Sequence, residues 1–520
     1  MKTFLDKLLE YYSLTKEDYF ELSKEVTLGD VPEYTNFKNI DECANYLKKK
    51  AEANTKILIY GDYDCDGIMS TSIMVNTFSK LGYKVGFYIP FRETDGYGLN
   101  VERVEYFASL GYKLFVCVDN GIVQYEAIDK VNELGCECVV IDHHTPGETL
   151  PNAKYIIHPQ VSEFGDINMS AGCVCSFVSR AMLGYFDKYL FTLGAVSLIS
   201  DLMELKGYNR TIVKVGLEYL NENMFSNLVS LLDSPKAKID EFDLSMNICP
   251  KINAVARLIN DNKLFNIVRL FITDDPTLIS SYSKWVKAVN EERKRLITEV
   301  SESINFVDDS KHVIFPILKM KEGLTGLVAN KIMEKYNKPV FVCVKEANNP
   351  NIYKGSARSK DNFSVVEFLN DNSDLFLTFG GHKNAGGFSF NKENYDEVVK
   401  RADEYAINHP FVENKLDKYV EVNLNEINNE NYDILMTFGP FGQGNPYPAF
   451  MIKGFMVDSF NYSADKRHII TKISMNSSIC YFNYNSEILD YTKVNLIGKF
   501  NLNIFNGRKS VQFIVFDYEN

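Results

Sequence analysis

The chain has 520 residues, of which 45% are hydrophobic and 24% charged, a composition typical of a globular protein with about three domains. Its net charge of −13 excludes a surface that is basic throughout, as in a protein coated for nucleic acid, but leaves room for a local basic groove. No run reaches the ~18 apolar residues of a membrane span, and acids interrupt the N-terminus where a secretory signal is apolar, so we expect a cytoplasmic location.

Short apolar runs alternate with helix-like stretches from about residue 55 onward, namely KILIY, KVGFYI, KLFVCV, CECVVI and AKYIIH. Continuous apolar runs are typical of parallel strands that are covered on both faces. Ligands of such sheets bind beyond the carboxyl ends of the strands. We therefore expect one site from the side chains that follow the first, third and fourth runs: Asp62, Asp64, Asp66, Asp119, Asp142, His143 and His144.

The later parts of the chain predict three further elements. Residues 275 to 305 read as one long helix, with capping acids and a proline at its start. A second α/β unit follows, with strands HVIFPIL and PVFVCV and the glycine-rich FGGHKNAGGFSF. Five short aromatic-rich runs without an intervening helix then indicate a small closed barrel, most simply an OB-fold: MIKGFMVDSF, RHIITKISM, SICYFNY, VNLIGKF and SVQFIVFDYE.

The predicted fold class is therefore α/β, with a parallel-sheet domain, a long connecting helix, a second α/β domain and a C-terminal OB-fold-like β-barrel. The N-terminal segment gives few signals, and we expect helices that cover the parallel-sheet domain. The predicted segments are N-terminal helices 1–54, first α/β domain 55–274, connecting helix 275–307, second α/β domain 308–411 and barrel 412–520.

The run GDYDCDG places three carboxylates at alternate positions, as the start of an EF-hand calcium loop does. A calcium loop that starts at Asp62 would need a bidentate glutamate at its twelfth position, which is Ile73 in this chain. The segment before it should also be helical, whereas ILIY is typical of a buried strand. A calcium loop is therefore excluded.

Each acid alone has a simpler explanation, because aspartate after a strand is often a turn former or a helix N-cap. Their convergence favours a metal site instead, since Asp142-His143-His144 adds two imidazoles and Asp201 interrupts the apolar run TLGAVSLISDLMEL, where a charge needs a partner. Carboxylates and imidazoles without thiolates favour Mn²⁺ or Mg²⁺ over zinc. This number of ligands suits a pair of ions of the kind that promotes attack at phosphorus.

The motifs GDYDCDG, VDNGI, IDHH and Asp201 resemble, in order and spacing, the four motifs of the DHH phosphoesterase superfamily. Further segments resemble its RecJ-like single-strand-specific exonucleases: DGYGLN, CPKINAVARL, GLTGLVANKI, GSARS, GGHKNAGG, PFGQGNPYP and SVQFIVFD. The resemblance covers nearly the whole chain beyond residue 50 and spans a DHH domain, a DHH-associated domain and the barrel. Small DHH phosphodiesterases and pyrophosphatases lack this third domain.

The resemblance implies a metal-dependent 5′ to 3′ exodeoxyribonuclease that releases 5′ mononucleotides from single-stranded DNA, in repair and recombination. Two alternatives stay open: a DHH phosphodiesterase that acts on short oligoribonucleotides or cyclic dinucleotides, and a non-catalytic DHH scaffold of replication machinery. A helicase or a single-strand-binding protein is a candidate partner. We expect a monomer without membrane attachment.

The resemblance also assigns roles to the acids and histidines. Two Mn²⁺ or Mg²⁺ ions would be held by Asp62, Asp64, Asp66, Asp119, His143 and Asp201, with Asp119 as the bridge. His144 would point at the scissile phosphate or complete the coordination, and a water shared by the ions would attack. An extended chain places at most two of the three acids in GDYDCDG on one side, so one of them is expected to support the others. The catalytic set is Asp64, Asp66, Asp119, His143, His144, Asp201 and His382.

Substrate contacts follow from the same resemblance. Arg257, Ser356 and Arg358 would cradle the 5′ phosphate, because arginine forks bind phosphate with two hydrogen bonds; solvated residues of surface turns are the alternative. His382 would contact a substrate phosphate, unless it is a chance residue of a glycine-rich hairpin. Further candidates for DNA contact are Arg92 and Tyr97 and, in the barrel, where most aromatic residues are core, Tyr462, Lys466, Arg467, His468, Phe482, Tyr484 and Arg508.

Two positions depart from the family pattern. Asn120 stands where the family often has cysteine, and we expect little change because the neighbouring Asp119 is kept. Tyr60 stands where some DHH phosphodiesterases have a metal-binding histidine, which weakens the small-substrate alternatives.

Overall fold

The structure is a computed structural model, and it describes residues 2–165, 168–304, 310–346, 349–411, 418–464, 466–505 and 507–519. The chain divides into two compact units. The first comprises Met1–Asp30, Glu204–Thr211 and Lys415–Asn520, and the second comprises Val31–Met203 and Ile212–Asn414. None of the helices in the described ranges combines the length and the apolar character that a membrane crossing requires.

Strands and helices are numbered in chain order. The strands are β1 (Ile57–Tyr60), β2 (Gly86–Tyr88), β3 (Leu114–Val118), β4 (Glu137–Ile141), β5 (Tyr155–Ile157), β6 (Val340–Lys345), β7 (Ile352–Arg358), β8 (Thr378–His382), β9 (Ala385–Asn391), β10 (Val420–Glu421), β11 (Phe450–Met456), β12 (His468–Ser474), β13 (Ser477–Phe482), β14 (Lys493–Phe505) and β15 (Arg508–Glu519). The helices are α1 (Phe4–Tyr12), α2 (Lys16–Ser23), α3 (Ile40–Glu52), α4 (Cys65–Lys80), α5 (Val101–Ser109), α6 (Tyr125–Glu133), α7 (Ala171–Leu183), α8 (Lys188–Ser200), α9 (Gly207–Asn223), α10 (Ser226–Val229), α11 (Glu241–Asp243), α12 (Cys249–Leu258), α13 (Asn266–Ile272), α14 (Pro276–Ser303), α15 (Thr325–Tyr336), α16 (Val365–Asp371), α17 (Tyr395–Asn408) and α18 (Asn429–Met436).

The first sheet of the larger unit is parallel throughout, in the order β2-β1-β3-β4-β5. All five predicted strands of this region are present. Every residue of β1 and β3 is buried, because helices cover both faces of the sheet. α8 is apolar nearly all round, and all but its ends are buried, as expected of a helix inside a core.

The second sheet of the larger unit is antiparallel, in the order β6-β7-β9-β8. The expected strand in HVIFPIL is wrong as a continuous strand. Only two isolated parallel bridges form there, which pair Ile314 with Val340 and Ile317 with Cys343. Pro316 lies between them and has no N–H to donate, so a regular ladder is interrupted at this edge.

The predicted long helix is present as α14. Asp275 caps its N-terminus, where the side chain accepts hydrogen bonds from the backbone N–H groups of Thr277 and Leu278, and Pro276 occupies the first turn. The start signals in the sequence therefore act as expected.

The smaller unit contains a mixed six-stranded sheet in the order β10-β11-β14-β15-β13-β12. The five predicted strands of the barrel are β11 to β15, and the short β10 adds a sixth. Within the described ranges, no pairing joins the end strands β10 and β12 to each other. The sheet encloses a core that includes Phe450, Leu496 and Phe513.

The expectation that the N-terminal helices cover the parallel-sheet domain is wrong for the first of them. Phe4, Leu8 and Leu9 of α1 are buried in the same hydrophobic cluster as the six-stranded sheet. The Phe4 ring stacks on the rings of Phe450 and Phe500, with centroids 6.0 Å and 5.8 Å away. The sequence shows that α1 has an apolar face but not which core that face joins.

Replacing Leu8 with alanine should therefore destabilise the smaller unit. Leu8 is fully buried, so the loss should be about 2–5 kcal/mol of the free energy of unfolding. Leu110→Ala is the matched control, because Leu110 is 46% exposed and should change stability by less than ~0.5 kcal/mol. Denaturant titration of both variants tests this, and equal losses would contradict the placement of α1.

Candidate functional site

The acids found after three strands lie at one edge of the parallel sheet. β1, β3 and β4 are neighbours in the sheet and end at Tyr60, Val118 and Ile141. Because the strands are parallel, the residues that follow them emerge on the same side. This edge, together with the end of α8, forms what we call the acid–imidazole cluster: Asp62, Asp64, Asp66, Asp119, His143, His144 and Asp201.

Three groups within the cluster have ligand atoms within 4.8 Å of one another. The groups are Asp62 with Asp64 and Asp119, Asp66 with His143 and Asp201, and Asp119 with His143 and His144. His143 is central, because its Nε2 lies 3.4 Å from Asp119 Oδ1 and 3.5 Å from Asp201 Oδ2. The structure thus brings together all the residues that were predicted as metal ligands.

The three acids of GDYDCDG are separated by the start of α4. The Asp64 side chain caps this helix by accepting a hydrogen bond from the N–H of Gly67, so the chain is no longer extended beyond Asp64. A Cβ at Gly67 would lie 2.7 Å from the Cα of Asp62, which is why glycine is needed for this close turn. The expectation of an extended chain is therefore wrong, and Asp66 belongs to a different ligand group from Asp62 and Asp64.

Asp66 is held by the N-terminus of α7. Its two carboxylate oxygens accept hydrogen bonds from the backbone N–H groups of Ala171 and Gly172, at 2.8 Å and 2.7 Å. Burial raises the pKa of Asp66, and the neighbouring charges of Asp201 and Asp64 raise it further. Its Oδ2 also lies 3.7 Å from Nε2 of His143. Asp66 is therefore fixed by the backbone of α7 and still lies within the acid–imidazole cluster.

The turn after β3 is fixed by Asn120. Its side-chain amide donates to the carbonyls of Tyr60 and Val118 and accepts from the N–H of Leu99, which ties three segments together. The preceding Asp119 has a φ of 62°, a conformation that is costly for most residues other than glycine. Asn120 therefore does more than the sequence suggested, because it holds the backbone that presents Asp119.

Asp142 supports the two histidines rather than joining the ligand groups. It is fully buried and accepts hydrogen bonds from the N–H groups of Ile122 and His143 and from Nδ1 of His144. Burial alone would raise its pKa, but the hydrogen bond and charge of His144 lower the pKa of Asp142 to about 2. Sequence reasoning missed His158, whose Nε2 lies 2.8 Å from the carbonyl oxygen of His144.

His144 is held in place from two sides. Its Nδ1 lies 2.8 Å from Asp142 Oδ1 and 3.1 Å from the hydroxyl of Tyr97. Tyr97 also donates to the carbonyl oxygen of Asp119 at 3.2 Å. The side chain of His144 is 41% exposed, so it faces the open part of the cluster.

The cluster fits divalent cations. Asp62 Oδ1, Asp119 Oδ1 and His143 Nε2 are buried and have no hydrogen-bond partner in the described part of the chain. Burial raises the pKa values of Asp62 and Asp119, and the adjacent carboxylates raise them further. Buried polar atoms without partners and mutually repelling carboxylates are costly unless a cation compensates for them. Oxygen and imidazole ligands suit Mn²⁺ and Mg²⁺.

Addition of Mn²⁺ should therefore stabilise the protein. At a hundredfold excess over the dissociation constant, a ligand that binds only the folded state contributes about 2.7 kcal/mol. Thermal unfolding measured with Mn²⁺ and with EDTA should differ by several degrees, with the lower midpoint in EDTA. Equal midpoints would contradict a metal role for these residues.

A second group of predicted residues lines a cavity of about 320 Å³ in the same unit. The antiparallel sheet arranges one side of it, because Lys354, Ser356 and Arg358 alternate along β7 and so share one face. We call the part lined by Arg92, Arg257, Ser356 and Arg358 the anion cradle. None of its arginines is within ion-pairing distance of a carboxylate anywhere in the described ranges.

Contacts between segments shape the anion cradle. Arg257 Nη1 donates to the carbonyl oxygen of Gly323 at 2.9 Å, and the Ser356 hydroxyl lies 2.9 Å from that of Thr325. A Cβ at Gly326 would lie 2.5 Å from Arg358 Nη2, so this glycine leaves room for the guanidinium. The surface-turn alternative for the GSARS residues is excluded, because they lie on a sheet strand.

The anion cradle adjoins the acid–imidazole cluster. On α12, Asn253 accepts a hydrogen bond from the N–H of Cys65 at 2.8 Å, and Arg257 follows four residues later. Four residues along a helix span ~6 Å and return to the same face. Burial and, to a smaller extent, the neighbouring arginines lower the pKa of Arg257 to about 10, while the charge of Asp64 acts in the opposite direction.

His382 and Arg92 lie at the borders of this region. His382 pairs with Ala385, which pairs with Arg358, so the three residues form one row on one face of the sheet. His382 is exposed and at the edge strand. The guanidinium of Arg92 lies 4.9 Å from the ring centroid of Tyr63, a residue that stands in the sequence between Asp62 and Asp64 of the cluster. Sequence reasoning missed Asn253, Thr325 and Lys354, although all three lie in or beside motifs that were recognised.

The aromatic candidates of the smaller unit form two contacting pairs, each with one exposed ring. Phe482 and Tyr462 are 48% and 42% exposed, respectively. The ring of Phe482 contacts that of His468 edge to face, with centroids 5.5 Å apart, and Tyr462 lies 5.8 Å from Tyr484. Exposed aromatic faces beside cations are suited to base stacking.

Comparisons with known proteins agree with this architecture. The chain matches three family descriptions: "DHH family, N-terminal domain" over residues 56–207, "DHHA1 domain" over residues 310–408 and "RecJ OB domain" over residues 420–517. It is 29% identical to the single-stranded-DNA-specific exonuclease RecJ of Bacillus subtilis, over 92% of this chain and 63% of that protein. It is 30% identical to RecJ of Thermus thermophilus, over 80% of this chain and 62% of that protein.

The chain thus spans somewhat less than two thirds of the length of these two relatives. Among solved structures, it is similar in fold to RecJ from Thermus thermophilus in complex with Mn²⁺, with a TM-score of 0.84 and 24% identity. The match covers 99% of this chain and 76% of that one. The chain combines a DHH-family domain, a DHHA1 domain and a RecJ OB domain, and with its similarity to the two relatives this combination identifies it as a RecJ-like member of the DHH family.

Proposed function

We propose that the protein is a metal-dependent, single-strand-specific 5′ to 3′ exodeoxyribonuclease that releases 5′ mononucleotides. The observation that carries this proposal is a metal-binding cluster with a cationic cradle beside it, linked through α12, where Asn253 contacts the backbone of Cys65 and Arg257 follows four residues later. A cluster alone would suit many phosphodiesterases. The adjacent cradle adds a site for the phosphate at a chain end.

The acid–imidazole cluster would hold two ions, with Asp62 and Asp64 at one and Asp66, His143 and Asp201 at the other. Asp119 belongs to the ligand group of Asp62 and Asp64, and its Oδ1 lies 3.4 Å from Nε2 of His143, which supports its assignment as the bridge. Mn²⁺ or Mg²⁺ at this position would activate a water for attack at phosphorus and neutralise the charge that develops there. Crystals of the similar Thermus thermophilus protein contain Mn²⁺, which supports this choice of ion.

The remaining residues orient the substrate. His144 is fixed by Asp142 and Tyr97 and faces the open side of the cluster, where it would contact the scissile phosphate. His382, in the same row as Arg358, would contact a phosphate from the opposite side of the cleft.

The anion cradle would determine the direction in which the strand is digested and the number of nucleotides removed at each step. Three arginines without carboxylate partners and the Ser356 hydroxyl suit a terminal phosphate, which carries about −1.5 to −2 charges at neutral pH. A 5′ phosphate held there would place the first internucleotide linkage near the cluster. The enzyme would then advance by one nucleotide from the 5′ end.

The exposed aromatic rings of the smaller unit support single-strand preference, because only unpaired bases can stack on such faces. Binding led by phosphate contacts should also be strongly salt-dependent and nearly independent of base sequence. Action on DNA in repair and recombination follows as part of the proposal. The segment boundaries given above, a cytoplasmic location, a monomeric state and a helicase or single-strand-binding partner stay predictions.

No specific observation favours either of the two alternative functions. A small-substrate phosphodiesterase does not need the OB domain or a cradle for a chain end. A non-catalytic scaffold does not need a complete set of carboxylates and imidazoles with unpartnered buried atoms.

A direct assay tests the proposal. The purified protein should be incubated with a 5′-phosphorylated single strand, labelled in one sample at its 3′ end and in another at its 5′ phosphate, with Mn²⁺ or with EDTA. We expect a ladder that shortens from the 5′ end, mononucleotide products and no cleavage in EDTA. Cleavage from the 3′ end, or activity confined to dinucleotides and cyclic dinucleotides, would overturn the proposal.

A further inference from the structure

The cavity that contains the anion cradle extends beyond it and changes in character. Its volume of about 320 Å³ corresponds to roughly ten water molecules at ~30 Å³ each, more than one terminal phosphate needs. Away from the arginines, the cavity is lined by Lys354, Ser389 and Thr378, which pair across the sheet, and by Glu322, whose charge acts on Lys354. The cavity is therefore cationic at one end and close to neutral at the other.

The positions of the lining residues along β7 show which end of the cavity is cationic and which is close to neutral. Arg358 and Ser356 lie at the end of β7 where Arg257 and Arg92 gather, next to the acid–imidazole cluster. Lys354 lies two residues further along the same face, ~7 Å from Ser356. Lys354, Ser389 and Thr378 form one row across the sheet. The neutral end is thus the end that points away from the cluster.

Lys354 does not add net charge to this end. Its Nζ forms an ion pair with Glu346 at 2.6 Å. The hydrogen bond to Glu346 and the charge of Glu322 both raise the pKa of Lys354, so two carboxylates more than offset the charge of this lysine. Glu322 is half-buried and lines the cavity, and its side chain makes no ion pair in the described ranges.

The near-neutral end of the cavity affects which phosphate groups the 5′ terminus of a bound strand can carry. If the scissile linkage lies at the cluster and the terminal phosphate in the anion cradle, any further phosphate on that terminus must extend toward Lys354 and Glu322. The volume of the cavity would admit a diphosphate or a triphosphate. Their added negative charges would instead approach the carboxylate of Glu322 in a partly desolvated space, which is unfavourable.

We propose that Glu322 is a specificity-determining residue that restricts the anion cradle to 5′-monophosphate ends and rejects 5′-di- and triphosphate ends. This inference rests on the proposed exonuclease function for its biological meaning, but it concerns binding and can be measured without cleavage. Its physical content is a charge filter, because size alone does not exclude the longer termini.

Binding should be measured in EDTA, where no cleavage is expected. Three single strands of one sequence, labelled at the 3′ end and carrying a 5′ hydroxyl, monophosphate or triphosphate, are titrated by fluorescence anisotropy. The wild-type protein should bind the monophosphate most tightly. Glu322→Gln should raise the affinity for the triphosphate relative to the monophosphate about tenfold, the size of a charge interaction across ~7 Å in a partly solvated cleft.

Two further variants make the test specific. Glu322→Ala should act in the same direction as Glu322→Gln, because the charge and not a hydrogen bond is responsible. Glu393→Gln removes one charge from an exposed position of the same domain outside the cavity, and the triphosphate-to-monophosphate ratio should not change.

The inference is overturned if the wild-type protein binds triphosphate and monophosphate ends equally, if Glu322→Gln leaves the ratio unchanged, or if Glu393→Gln shifts it as much. Failure of the proposed function looks different. In that case the strands would be bound with end selectivity in EDTA, yet Mn²⁺ would not lead to their hydrolysis from the 5′ end.

Discussion

Replacement of Asp119 by asparagine should abolish metal-dependent hydrolysis and, in the absence of metal, stabilise the protein. Asp119 belongs to the ligand group of Asp62 and Asp64, and its Oδ1 lies 3.4 Å from Nε2 of His143, a proposed ligand of the other ion, so its loss should affect both proposed ions. Removal of a shared ligand should lower the rate by at least about a thousandfold, in the range of the largest single contributions to metal-assisted or electrostatic catalysis. Initial rates on a 5′-phosphorylated single strand with Mn²⁺ measure this loss.

The gain in stability has the same origin as the loss of activity. Burial raises the pKa of Asp119, and four neighbouring carboxylates raise it further: Asp66, Asp64, Asp62 and Asp142. The charged form of Asp119 is therefore unfavourable in the folded protein without a cation. A neutral amide of the same shape relieves that repulsion. In EDTA, Asp119→Asn should therefore unfold at a higher temperature than the wild type, and Mn²⁺ should stabilise it less.

Asp129→Asn is the matched control. Asp129 is an exposed residue of α6, so the substitution changes the same functional group outside the cluster. Its activity and its response to Mn²⁺ should equal those of the wild type. If Asp119→Asn kept the wild-type rate, or if it unfolded in EDTA at a lower temperature, the assignment of Asp119 as a shared ligand would be wrong.

The sequence was sufficient to predict the parallel sheet and the position of its site. β1, β3 and β4 are continuous apolar runs, and such runs indicate buried parallel strands without any knowledge of their partners. The acids after them must then meet at one edge, which is where Asp62, Asp119 and His143 lie. This part of the site depends on local sequence and on the geometry of parallel strands alone.

The supporting contacts could not be predicted in this way. Asp66 is held by backbone N–H groups of Ala171 and Gly172, more than a hundred residues away, and hydrogen bonds to backbone leave no signal in side-chain identity. Asn253 holds the N–H of Cys65 by the same kind of contact. The partner of α1 was unpredictable for a related reason, since an apolar helix face does not specify the core that it joins.

The second large effect concerns Arg358. Replacement by alanine should reduce kcat/KM on a 5′-phosphorylated single strand about a hundredfold, because loss of one partner of a buried charge-assisted contact costs about 2–5 kcal/mol. The same variant should lose little on a strand with a 5′ hydroxyl, which makes no such contact. The ratio of the two rates, rather than either rate alone, therefore reports the role of Arg358.

Arg358→Lys separates geometry from charge. Lysine keeps the positive charge but cannot make the planar, two-pronged contact with phosphate, so the ratio should fall to an intermediate value. Arg401→Ala is the matched control, because Arg401 belongs to the same domain but forms ion pairs with Glu397 and Asp374 and does not line the cavity. An equal loss on phosphorylated and hydroxyl ends in Arg358→Ala would mean that Arg358 acts on the scissile phosphate or on folding. The anion cradle would then not be the site that recognises the 5′ end.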